Sequence, residues 1–195
     1  MSTIQDKNQY IGSYKNISFE EWDEGIIYCL YMPIIKQTRH NNKMIQINQN
    51  KTADSRTCDF KNTPKEVVLQ SSLQHIQDVV QALNFFVGKL VTAAGEHDYD
   101  KLTDIDGFYS DFKNGFETTT WWDNHRKIHR HHLAQEDGIP DDVNLIDILE
   151  YIADCVMAGM ARTGEVTEII AMPGLLEKAF KNTIDMLIKE VHIYE

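Results

Sequence analysis

Residues 121–132 read WWDNHRKIHRHH, and they carry His125, His129, His131 and His132, half of the chain's eight histidines. Neutral imidazole is the commonest ligand for transition ions and titrates nearest neutral pH. The competing reading is a basic, solvated helix face shared with Arg126, Lys127 and Arg130. Upstream, GEHDYDKL at 95–102 sets His97 beside Asp98, a mixed nitrogen and oxygen pair suited to a divalent transition ion. Neighbours on a regular helix point about 100° apart and would not share an ion. At a helix end or in a loop they can converge. Lys101 follows Asp98 by three residues and could set a positive charge beside a phosphate.

Two further residues stand in apolar helical settings. His75 has Leu73, Ile76 and Val79 around it, which puts it near a buried face, either as a hydrogen-bonded core histidine or as a ligand. Asp154 lies in LIDILEYIADCVMAGMAR, where a buried carboxylate is costly unless paired or metal-bound. A pairing with Arg162 or a place on the helix surface would also satisfy it. Glu150, one turn earlier, is either an acceptor for a ligand histidine or an exposed helix carboxylate. Helical spacing puts His125, His129 and His132 on one face, while His131 points elsewhere unless the helix ends before it. Trp121 and Trp122 read as core or pocket wall rather than as platforms for stacking bases.

The elements that must position these groups are helical. Thr63 can cap, Pro64 suits a first helical position, and Glu66 follows in capping-box register. Apolar residues then recur at three- and four-residue steps from Val67 to Leu90, which predicts one long helix, or two with a break, ending near Gly95. Further helices are expected over about 103–116, 117–133, 141 or 142 to Gly164, and 173–191. Residues 1–63 differ. They are rich in Asn, Gln, Lys and Thr, with one apolar run, GIIYCLYMPII at 25–35, and one alternating stretch, KMIQINQ at 43–49, that reads as a short strand, half of a hairpin. The expected fold is mostly α: an N-terminal extension (1–63), irregular or β-containing, and a helical metal-binding domain (64–195). A lid, a dimer contact and a packing extension all remain open for the first part.

Composition narrows the function classes. A formal charge of −11 argues against general affinity for nucleic-acid backbones, although a bound divalent ion can reverse the sign locally. Three cysteines, without a C-x-x-C pair, fit reduced thiols, and no apolar run approaches a membrane span. The start, MSTIQDKNQY, lacks signal-peptide character. A cytoplasmic protein is expected, in the host cytoplasm if phage-encoded. No P-loop or Rossmann glycine motif is present.

The order of His75, His97–Asp98 and Asp154 on helices resembles the HD superfamily of metal-dependent phosphohydrolases. HDYDKL, W-x-x-H ending at His125, the pair His131–His132 and the later Asp154 look like a phage and bacterial branch of it. In that branch the usual run is HD-x-S-K-F, so Asp100 stands for Ser and Leu102 for Phe. The resemblance covers roughly 64–190. It implies an HD-like helical bundle holding one or two divalent ions (Mn, Fe, Zn, Co or Mg) on His75, His97, Asp98, His125, His132 and Asp154. It implies hydrolysis of a nucleotide or related phosphoester by metal-activated water, with Asp98 able to bridge two ions. Lys101, with His131 or Arg130, would then counter the phosphoryl charge, and His129 would be a supporting or surface residue. Two other readings stay open: an HD-type di-iron oxygenase, and a non-catalytic phage-type binding protein with a structural metal. The partners expected are a small phosphorylated substrate and, as an open possibility, further copies of the chain; no membrane is expected.

Overall fold

The computed structural model describes residues 44–117, 120–166 and 168–194. The apolar run at 25–35 lies outside them. The fold is mostly α. A short strand, β1 (Ile45–Asn48), precedes a 32-residue helix, α1 (Lys65–Glu96). A single turn, α2 (Asp100–Thr103), leads into α3 (Ile105–Lys113) and α4 (Thr120–Ile128). Then come α5 (Leu145–Thr163), α6 (Leu175–Glu190) and a closing strand, β2 (Val191–Tyr194). Among the described residues, no helix is long and apolar enough to cross a membrane.

β1 is a strand, but it is not half of a hairpin. It pairs in parallel with β2, with Ile45 opposite Val191 and Asn48 opposite Tyr194. Residues 191–194 were expected to lie at or beyond the end of the last helix. Strands from either side of the expected boundary at 63/64 thus form one ladder. β1 is also strapped along α1. The Gln81 amide accepts from the Gln46 N–H and donates to the Gln46 carbonyl, both at 3.0 Å, and Gln74 donates to the Asn48 carbonyl at 2.6 Å.

Helix ends follow local chemistry. α1 begins at Lys65 with Pro64 at the cap and no capping side chain, so Thr63 stands one residue too early. α5 begins later than expected, because Asn144 and Asp147 form a reciprocal capping box. Gly164, in the left-handed conformation, ends it. The core sits between α5, α6 and the loop before α5: Leu133, Val143, Ile148, Tyr151, Leu175 and Ala179. The apolar residues of α1 contribute little to it, and most of them face outward.

Candidate metal centre

α1 ends at Glu96, and His97, the C-cap, already leaves helical geometry at φ −57°, ψ 118°. Asp98 follows with φ +52°. Left-handed residues just past a helix end are usually Gly or Asn, and Asp is among the few other side chains that tolerate the conformation. This turn lets two adjacent residues converge: His97 Nε2 lies 3.5 Å from Asp98 Oδ2. α4 ends at Ile128, three residues before His131. The WWDNHRKIHRHH segment is therefore a helix followed by a bend, and the bend turns His131 and His132 back toward Asp98.

Among the described residues, three sets of side chains present ligand atoms within 4.8 Å of one another: His97, Asp98 and His131; Asp98, His125 and His132; Asp100, His125 and His129. Asp98 belongs to the first two. Its Oδ1 is 3.4 Å from His125 Nε2 and 3.4 Å from His131 Nε2. Asp98 Oδ1 and the Nε2 atoms of His125, His131 and His132 are all buried without a hydrogen-bond partner. Several orphaned polar atoms facing one another would each carry a desolvation cost unless a cation fills the space between them. An imidazole and carboxylate set of this kind suits a divalent transition ion.

The opposite ring nitrogens are held. Asp100 lies 2.9 Å from His125 Nδ1 and 2.8 Å from His129 Nε2. Glu150 Oε1 is 2.9 Å from His97 Nδ1 and 3.0 Å from His131 Nδ1. A carboxylate accepts, so the proton of each of these rings sits on the nitrogen facing Asp100 or Glu150. That tautomer leaves the Nε2 lone pairs of His97 and His125 aimed at Asp98; His131 turns its Nε2 the same way and must lose a proton there before it can act as a ligand. The third set differs from the other two, since Asp100, His125 and His129 already satisfy one another. Trp121 and Trp122 stack on His125 at ring distances of 4.8 and 5.1 Å, walling the imidazoles from water.

Electrostatics follow from burial and proximity. Burial would raise the Asp98 carboxyl, but His131 and Lys101 hold it well below the ordinary range. Burial works against protonation of His131, yet Asp98 and Glu150 raise it to about 9. His132 is pushed down to about 3 by burial and then by His131 and His125, so it is neutral and available as a ligand. Burial likewise lowers His125, against the pull of Asp100.

The sequence candidates divide accordingly. His97, Asp98, His125, His131 and His132 meet in one cluster. Asp154 is 3.9 Å from His97 Nε2, but it sits at the rim with 36% of its side chain exposed. It is not the buried acid of its helix; that is Asp147, which pairs with Arg130 at 2.8 Å. Arg130 also reaches Asp142, so it braces the bend against α5 and is not free to meet a phosphate. Lys101 stands 2.5 Å from Asp98 Oδ2. His75 is exposed and 3.4 Å from Asp54. It shares one continuous helix with the residues before His97, on the order of 30 Å away at 1.5 Å per residue. The expectation that His75 shares an ion with His97 is therefore overturned.

Asp100 was noticed only as a departure from the usual Ser, and it turns out to be buried and central. Its signal was the i, i+4 spacing of His125 and His129, which aims both rings at one acceptor. Glu150 is the acceptor of its two readings, and His129 is buried rather than on the surface. Comparison with family models, curated proteins and solved structures finds no match. Fold and site define a class: a mostly helical protein with a buried His/Asp cluster that could hold a metal ion.

Proposed function

We propose that the chain is a metal-dependent phosphohydrolase acting on a small phosphoester, a nucleotide or a relative of one. His97, Asp98 and His131, with Asp154 at the rim, would hold one divalent ion, and Asp98, His125 and His132 a second. The observation that supports this is the set of buried, unpartnered Nε2 atoms around Asp98 Oδ1, with the His125 ring held from behind by Asp100 and Glu150 lying 3.0 Å from His131 Nδ1. A divalent ion held there lowers the pKa of a bound water toward neutrality and polarises a phosphoryl oxygen. The chain's own residues do the rest. Glu150 and Asp100 fix the ring orientations, Trp121 and Trp122 exclude bulk water, and Lys101 supplies positive charge next to Asp98. The ordered H-D, W-x-x-H, H-H and Asp154 pattern supports an HD-superfamily reading in which His75 has no part.

One observation favours the oxygenase reading. A cavity of about 380 Å³ between α1 and α5 reaches His97 and Asp154, and its walls include Leu90, Leu149, Ala153 and Met157 with no Lys or Arg. Such walls suit an organic group better than a polyphosphate. The two readings separate in one experiment: elemental analysis of the purified chain, a phosphoester panel before and after chelation, and oxygen uptake with Fe(II). Hydrolysis lost on chelation and restored by metal is expected. Oxygen uptake without hydrolysis would transfer the proposal to the oxygenase. Bound metal with neither activity would leave a binding protein, and absence of metal affinity would overturn all three.

A further inference from the structure

The site leaves one large feature unused. Leu69, Leu73, Ile76, Val80, Leu83, Val87 and Leu90 follow one another at strict four- and three-residue steps along α1. Each is exposed, from 36% at Leu90 to 57% at Leu83. A period of 3.5 rather than 3.6 residues is the signature of a helix that winds about another helix, and the stripe keeps it for three heptads, with uncharged flanks where such coils usually carry charge. Two parts of the chain already cover α1: residues 45–58 on its polar side, and α5 toward its C-terminal end, where Leu90 faces Leu149, Ala153 and Met157. Ser71, Gln74 and Gln81, against which residues 45–58 pack, lie roughly 130° round the helix from the stripe at 100° per residue. Among the described residues, the polar side of α1 is thus covered and the stripe from Leu69 to Val87 is exposed.

We infer that two copies of this chain pair through a parallel, two-stranded coiled coil along the α1 stripe. Charge favours a second copy as the occupant. The chain carries −11, which opposes self-association in general. Yet the positions flanking the stripe hold Gln70, Ser72, Gln77, Val79, Asn84 and Phe86, none of them charged. Asp78 and Lys89, the charged residues between Leu69 and Leu90, lie off the seam. An acidic chain therefore meets its copy along a neutral strip. Leu73, Val80 and Val87 fall at one core position and Leu69, Ile76, Leu83 and Leu90 at the other; valine at the first with leucine at the second is the two-stranded preference of parallel coils, from which the Leu73–Ile76 heptad departs. None of this depends on the metal centre.

The test is sedimentation equilibrium of the full chain beside the double variant Ile76→Glu, Leu83→Glu. The wild type should show twice the chain mass, and the variant should associate at least ~10-fold more weakly. Helicity and metal content should be unchanged, because both positions are exposed within one copy. A second variant, Leu83→Cys, should cross-link to itself on oxidation where the wild type does not. A monomeric wild type overturns the inference. So does a dimer indifferent to the two glutamates, or a seam that cross-links to residues 1–43 of its own chain. A dimer that Leu83→Cys fails to trap overturns the parallel arrangement.

Discussion

The two ends of α1 invert the usual rule in opposite directions. At its C-terminal end, polar and ionisable groups are inside: Asp100, His125, His129 and His131 are buried among stacked rings. Along the helix before that end, Leu69 to Val87 are outside. Burying unpaired polar atoms and exposing contiguous apolar ones are both unfavourable in a single chain. Among the described residues, the two inversions are the features on which the two proposals rest, a cation at one end and a second copy of the chain along the other stretch. The comparison also explains why both features occur on one helix. α1 is 32 residues long, so the histidine cluster at its tip and the exposed stripe along its shaft are separate stretches of one element.

Breaking the metal end should have the larger consequences. Asp98→Asn keeps a residue that tolerates the left-handed turn but removes the shared anionic oxygen. Metal content, read by elemental analysis, should fall at least ~10-fold, and any turnover with it. Glu150→Gln and Asp100→Asn leave the ligands in place and loosen their orientation. Each should weaken affinity by about 10- to 100-fold in a competitive chelator titration.

A third outcome concerns pH. His131 is protonated below about 9 in the metal-free chain, so an ion must displace that proton. Affinity should climb by about a decade per pH unit from neutrality and level off above 9, with close to one proton released near pH 7 in calorimetry. The metal-free chain should behave in the opposite sense. The raised folded-state value contributes stability that is full below the ordinary histidine value of 6.5 and is lost as pH rises through about 9.

Gly138→Ala probes the bend. A Cβ there would meet the His132 carbonyl oxygen at 2.2 Å, so the bend must shift, at a cost of ~1–3 kcal/mol seen in thermal melts. The smallest effect is expected from His75→Ala, which should leave metal content and melting temperature unchanged. A loss of metal there would mean that the two ends of α1 are not separate in function.

His97 and Asp98 were legible because H-D beside a predicted helix end is a local pattern, and the left-handed turn is local too. His131 and His132 were harder, since their use depends on α4 stopping at Ile128, and nothing in HRHH forbids another helical turn. His75 was misjudged for an instructive reason. Apolar neighbours at Leu73, Ile76 and Val79 identify a face that avoids water, but periodicity does not say whether the covering surface belongs to the same molecule. Asp147 rather than Asp154 is the buried acid of α5 because burial there is set by the Arg130 brace, a contact made across the bend. β2 was missed because VHIY gains its strand character from a partner at the far end of the chain.

That pairing has a consequence in time. Ile45 is 1% exposed with Val191 beside it, and the helices from α1 to α6 intervene between them in the chain. A ladder between such distant segments carries a high loop-closure cost and closes late. During synthesis α1 and the histidine bend have left the ribosome well before β2, so β1 emerges with its hydrogen-bonding edge bare and only the straps of Gln74 and Gln81 to hold it. The last four described residues act as a latch, and the newborn chain is most exposed to mispairing in the interval before they arrive.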